Sequence, residues 1–498
     1  MPCGRAAVIC VVIPALLAFF TTTRFVRNIP FHLNPPKLSA SFAHFPRGSS
    51  ADYHPSPLEH LTGHSPSRWS DTERLAFCED ATSLISQGRS LVLLSCDPDR
   101  HRWNTVMGPF EDPDSVQGAL WIIDPVPQAG VEPKIERVNL DWSALTKGQA
   151  QFHPLGLEVV QDSDASDGAR LLVVNHGANE STLERFSLLA LPDSPSASPA
   201  PYIATHLHTL RHPSLSGAPN SLAVLPSSSA SGLRFFLSHD HHFNRRTRSP
   251  LRKVANFLET IFSLPLSRVD YVEVVLPLTN GGQPKIKVET VADGVAFANG
   301  VALSPDGDTL VMASTSRREL RFYAVAQVEH NVKPSLTLIR TVSLPMLVDN
   351  LSILPWNFTT SLAPAYTAEA GRNFTVLATG HPSYLALLSV AHKLNLSFHL
   401  PSFLSRLLAW PGIDFRWRAQ HGMSWTVAVH YPLPPSAPKQ GGQQEWETVF
   451  QSNGRVAEGG FGGSTTAIAG EEGGRKWLVV TGLYEEGVKI LREKIVSG

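Results

Sequence analysis

The stretch PDGDTLVMAST, residues 305–315, followed by LRFYAV at 320–325, decides the fold. It reads as a turn carrying Gly307, a short β-rich apolar run, a polar loop, and a second apolar run. Runs of that length bounded by turn formers are strands rather than helices. The pattern recurs along the chain: SQGRSLVLLSC (86–96) with ALWIIDP (119–125), SDGARLLVVNH (166–176) with TLERFSLLA (182–190), and SSASGLRFFLSHD (228–240) with RVDYVEVVL (268–276). Two more follow the first quoted, EAGRNFTVLATG (369–380) with LALLSV (385–390) and EEGGRKWLVVTG (471–482) with VKIL (488–491). Six units predict an all-β chain, a six-bladed β-propeller around a central tunnel. They start about 60 to 100 residues apart, beyond the ~40–45 residues of compact blade repeats, so long insertions separate the strands.

Around this array the chain divides into residues 1–29, an N-terminal hydrophobic signal or anchor segment, residues 30–70, a Pro/Ser-rich tether, and residues 71–498, the propeller. Ala6 to Phe20 is one apolar run following Arg5, and Thr21, Thr22, Thr23 and Arg24 come next in place of a small-x-small cleavage site. A retained anchor is therefore expected over a cleaved signal. Arg24, Arg27 and Lys37 on its far side leave orientation to other signals. Asn-x-Ser/Thr acceptors at Asn179, Asn357, Asn373 and Asn395 suit a glycoprotein of the secretory pathway, with the body lumenal, extracellular or secreted. The tether carries too little apolar patterning to offset chain entropy. The last unit is expected to pair with a strand from near it, closing the ring.

The 498 residues carry a formal net charge of −1 with no basic stripe, which excludes nucleic acid as a partner. One insertion is amphipathic: Leu251, Val254, Phe257, Leu258, Ile261 and Phe262 fall at helical spacing behind Arg245, Arg246, Arg248, Arg252 and Lys253. Such a helix either packs over the propeller or lies on a membrane surface. Of four cysteines, Cys78 and Cys96 belong to the body and are symmetric about the SQGRS turn. A hairpin there sets them opposite one another, at disulfide distance.

Acidic and amide side chains cluster where strands are predicted to end: Glu79 with Asp80, Asn299 in FANG, and Asp349 with Asn350 in LVDN. Hard oxygen donors of this kind suit calcium better than zinc. FANGVALSPDGDTLVMAS (297–314), LVDNLSI (347–353), LLVVNHGANESTLERFSL (171–188), DHHF (240–243) and FCED (77–80) resemble the paraoxonase/arylesterase family, in order from about Phe77 to Leu491. The resemblance implies calcium held by Glu79, Asn220, Asn299, Asp349 and Asn350, polarising the carbonyl of a small-molecule lactone or ester. It implies that Asp240 and His241 orient that site and that His381 lines its pocket. It also implies a second calcium at Asp80 and the carbonyl of Leu157, with Ser221 where the family has an aspartate.

The family's water-activating histidine pair maps onto Leu155, in FHPLG, and His176. Leucine cannot take a proton. The base is then His153, two residues earlier, or a calcium-bound carboxylate, Glu79 or Asp349. The family's ring-closing disulfide is absent too, since no cysteine follows Cys96. A calcium-dependent arylesterase or lactonase is the expected function, and a hydrolytically impaired, calcium-binding propeller at a membrane is the other reading.

Overall fold

The computed structural model describes residues 38, 41–43, 58–63, 74–100, 117–127, 132–143, 151–161, 168–191 except 178, 202–226, 228, 232–244, 249–276, 283–326, 334–354, 374–383, 386, 387, 390, 422–431, 445–455 and 459–494. The N-terminal apolar run, the arginines at 245, 246 and 248, and three glycosylation acceptors, Asn357, Asn373 and Asn395, lie outside these residues. Asn179 is exposed.

Six sheets of four or five strands form. The strands quoted above are the second and third strands of the blades; the innermost strand of each is the short segment just before. These inner strands are Cys78–Ser86, Pro154–Gln161, Pro219–Val224, Ala298–Leu303, Leu347–Ile353 and Ser464–Glu472. Each touches the next and the sixth returns to the first, closing a ring around the axis. Ring closure rests on strand pairing, as expected: Leu58–Gly63 adds the outer strand to the last blade, antiparallel to Val488–Glu493. Ser41–Ala43 likewise adds an outer strand to the fifth blade. Both short strands come from the stretch read as a tether.

Six apolar clusters fill the six spaces between successive blades. Trp121 of the first blade shares a cluster with Trp477 of the sixth, and Phe322 of the fourth blade shares one with Val376 and Val427 of the fifth. A blade packed on both faces needs apolar residues on both, which explains why its strands read as near-continuous apolar runs. One strand is placed differently from expectation. Of LALLSV, the described residues 386, 387 and 390 are helical, and the third strand of blade V is Ser424–Tyr431. The reason is the three-residue spacing of Leu387 and Val390, which pack against the cluster of Ala76, Phe77 and Tyr484 as one helical face would.

Every inner strand carries a one-residue bulge at the same height, between Cys78 and Asp80, Pro154 and Leu157, Pro219 and Leu222, Ala298 and Val301, Val348 and Leu351, and Ser464 and Ala467. A bulge leaves residues out of the ladder and re-aims their side chains. The residues so released are Glu79, Leu155, Asn220, Asn299, Asp349 and Thr465; the second residue, after each, is Asp80, which pairs with Ser95, and Gly156, Ser221, Gly300, Asn350 and Thr466, which are skipped as well. Where the second residue bears a side chain, the strand behind supplies a hydroxyl. Ser95, Ser238 and Thr481 accept the amides of Asp80, Ser221 and Thr466 at 3.3, 3.0 and 3.2 Å. Where it is glycine, Val174 and Ala313 stand opposite, and the neighbouring strand takes the space. A Cβ on Gly156 would lie 2.1 Å from the Asn220 carbonyl oxygen, and one on Gly300 2.6 Å from Asn350 Cα.

Candidate metal centre

The bulges bring four of the five expected ligands into two hydrogen-bonded pairs, Asn350 with Glu79 and Asn299 with Asp349. Asn350 Nδ2 donates to Glu79 Oε1 at 3.0 Å and to Thr466 Oγ1 at 3.1 Å. Asn299 Nδ2 donates to Asp349 Oδ1 at 2.6 Å, and His381 Nε2 lies 3.0 Å from Asp349 Oδ2. Asn220 stands on the adjoining strand, beside Gly156. The amide N–H groups of Asn299 and Asn350 are thus tied to neighbours, while Glu79 Oε2 and the side-chain oxygens of Asn220, Asn299 and Asn350 are buried with no hydrogen-bond partner.

Four orphaned oxygens at one level are costly unless something accepts them, since each buried unsatisfied polar group costs about 1–3 kcal/mol. Burial, then the charges of Asp80 and Asp349, push the Glu79 carboxyl well above the usual range, which a cation would reverse. Among the described residues no three His, Cys, Asp or Glu side chains gather as a metal site. The oxygens left over belong mainly to amides, a hard donor set of the kind calcium takes.

The second level differs. Asp80 Oδ1 accepts from the Ala81 amide at 2.8 Å and from Thr466 Oγ1 at 3.0 Å, and Oδ2 accepts from the Leu157 amide at 2.9 Å. Ser221 Oγ accepts the Val301 amide at 3.3 Å. Each of these side-chain oxygens therefore has a partner, in contrast to the orphaned oxygens of the ring above. Burial still holds the Asp80 carboxyl at about 6. Glu158, which sequence reasoning passed over, keeps some accessible surface, yet burial and then the Asp80 charge raise its carboxyl to about 8.

Phe77 and Phe297 stand two residues before the ring in blades I and IV, with left-handed φ of 53° and 58°, a conformation uncommon outside glycine and concentrated at functional sites. Phe297 packs on His241, ring centroids 4.7 Å apart. His241 Nδ1 lies 2.9 Å from Asp240 Oδ1 and its Nε2 2.7 Å from Thr260 Oγ1, so this expected orienting pair fastens the tunnel mouth to the helix Pro250–Ile261.

Blade II carries the remaining expected residues. His176 donates from Nε2 to the Pro219 carbonyl at 2.7 Å, just ahead of Asn220, and its amide donates to the His153 carbonyl at 3.0 Å. Leu155 is 6% exposed and packs between blades II and III with Leu172, Val174, Leu222 and Phe235. His153 is brought against Asp97, Nδ1 to Oδ2, at 3.0 Å. Nothing in the sequence flagged Asp97, because its partner lies 56 residues away in another blade. The hydroxyls behind the bulges did carry a signal: LLSC, FLSH, LATG and VVTG each end a second strand with Ser or Thr before the turn.

Residues 120–365 match the family model described as Arylesterase. The chain is 30% identical over 206 residues to serum paraoxonase/arylesterase 2 of Canis lupus familiaris, covering 41% of this chain and 47% of that protein. Similarity to the Rattus norvegicus serum paraoxonase/arylesterase 2 is 30% over 224 residues, 45% of this chain and 51% of that one. Serum paraoxonase/arylesterase 1 of Homo sapiens is 28% identical over 206 residues, 41% and 47% of the two chains. The matched region spans about half the length of these curated relatives.

Proposed function

We infer, from the premise that this chain belongs to the paraoxonase/arylesterase family, that its propeller is a carboxylic ester hydrolase acting on aryl esters or lactones through one metal ion, best matched by calcium. The observation that carries this reading is the ring of four partnerless buried oxygens, from Glu79, Asn220, Asn299 and Asn350, standing at one bulge level beside Asp349. These five residues would hold the ion. When bound, calcium supplies a Lewis acid for the carbonyl oxygen and for the negative charge that develops there.

The chain's own residues do the rest. Asn299 and His381 hold Asp349 from both of its oxygens, and Asn350 holds Glu79, so the donors are fixed before substrate arrives. Phe297, poised at the mouth by its packing on His241, offers an apolar wall to the substrate's acyl or aryl part. A calcium-titrated assay on an aryl ester and an aliphatic lactone tests the reading: turnover should rise with calcium and vanish with chelator. Full turnover in chelator sinks the metal role, and no turnover at saturating calcium leaves a binding propeller.

The Cys78–Cys96 bridge suits an oxidising secretory compartment. The helix Pro250–Ile261 supports a membrane partner, because its orientation is inverted. Asn256 and Glu259 are the buried residues, whereas Leu251, Val254, Phe257 and Leu258 are 81%, 54%, 52% and 39% exposed. Glu259 takes the amides of His242 and Phe243 at 2.8 and 3.0 Å, which holds that apolar face outward. Exposed Arg252 and Lys253 favour an anionic lipid surface as its occupant. Full-length protein should sediment with phosphatidylserine-containing vesicles, and Leu251→Glu with Phe257→Glu should release it. Unchanged sedimentation of that variant would rule the helix out.

A further inference from the structure

His153 stands at the mouth of the ring, two residues before Leu155, level with Phe77 and Phe297. It is 4% exposed, and Asp97, its partner at the end of the second strand of blade I, is 1% exposed. The surroundings fix both. The His153 amide donates to Asn175 Oδ1 at 2.9 Å, and Asn175 is itself held by Glu184 at 3.1 Å. Asp97 Oδ1 accepts the Asp99 amide at 3.0 Å. Arg100 binds the Phe77 carbonyl at 3.1 Å and the Pro154 carbonyl at 2.6 Å, joining the starts of blades I and II. Its charge also bears on Glu79.

We propose that Asp97 is a positioning residue that makes His153 the water-activating base of this chain, in the place that Leu155 cannot fill. The inference rests on the hydrolase reading above. With Nδ1–H donated to a buried carboxylate, the imidazole lone pair sits on Nε2, the arrangement by which a carboxylate fixes a histidine's tautomer and steadies the imidazolium. A water oxygen bonds to the carbonyl carbon while one of its protons passes to His153 Nε2. The carbon–oxygen bond to the leaving group then breaks, and the leaving oxygen takes that proton from Nε2. Asp97 stays ionised throughout. Burial raises its carboxyl, but the His153 imidazole, Arg100 and the Asp99 amide more than offset this and hold it below the usual range. Among the described residues, the titratable groups facing the pair are Arg100 and, through it, Glu79 on blade I, with His176 and Glu184 behind it on blade II.

The test is Asp97→Asn in the full calcium-loaded chain. Turnover should fall by roughly 10²- to 10⁴-fold, with KM and calcium occupancy little changed. The acid limb of kcat/KM should move to lower pH, because an imidazolium without its carboxylate loses its proton more readily. A merely structural aspartate would not move that limb. Wild type active with Asp97→Asn equally active at an unmoved limb overturns this inference alone; wild type inert on every substrate overturns the hydrolase reading and this with it. Should Asp97→Asn fail to fold, His153→Ala assayed with added imidazole decides: restored turnover upholds the base, and none overturns it.

Discussion

Asp349→Ala should abolish hydrolysis and, with it, the effect of chelator on thermal stability. Asp349 is held by Asn299 on one oxygen and His381 on the other, so its loss frees two further side chains at the ring. Removing one preorganised stabiliser of developing charge typically costs roughly 10²–10³ in rate, and on the proposed reading a metal ligand would go with it. In wild type, a metal that binds only the folded ring raises the melting temperature by mass action. In the variant, the melting curve with and without chelator should coincide. Activity within a few-fold of wild type, together with a melting temperature that still falls in chelator, would mean that Asp349 is not a ligand. Asn299→Ala should behave alike, since it removes both an orphaned oxygen and the donor that fixes Asp349.

Replacing Cys78 and Cys96 together by serine should destabilise the propeller by about 3 kcal/mol, the entropy of an unfolded loop of this length. The bridge joins residues 18 apart that face one another across the first hairpin. A lower denaturant midpoint with unchanged slope would show a change in stability alone. Because Glu79 is the bulged residue next to Cys78, calcium affinity should weaken as well. An unaltered midpoint in the serine pair would show that strand pairing already holds this hairpin and that the bridge adds nothing.

What the sequence determined by itself is local. Turn formers and short apolar runs specify strands, and six repeats of them specify a closed array, because blades buried on both faces need such runs. The symmetry of Cys78 and Cys96 about one turn is local too, and so are the FANG and LVDN motifs, which sit on the bulges. Tertiary structure decided what depends on distance across the ring. LALLSV has strand composition, yet 386, 387 and 390 are helical, since Phe77 and Tyr484 from other blades provide a surface that three-residue spacing fits. Ser221 could be read only as a missing ligand; the Val301 amide from the next blade makes it a hydrogen-bonded closure. His153 looked like a lone histidine until folding set Asp97 against it from the neighbouring blade. A residue's chemistry here depends on partners that chain order keeps tens of residues apart, and only the closure of the ring brings them within reach of one another.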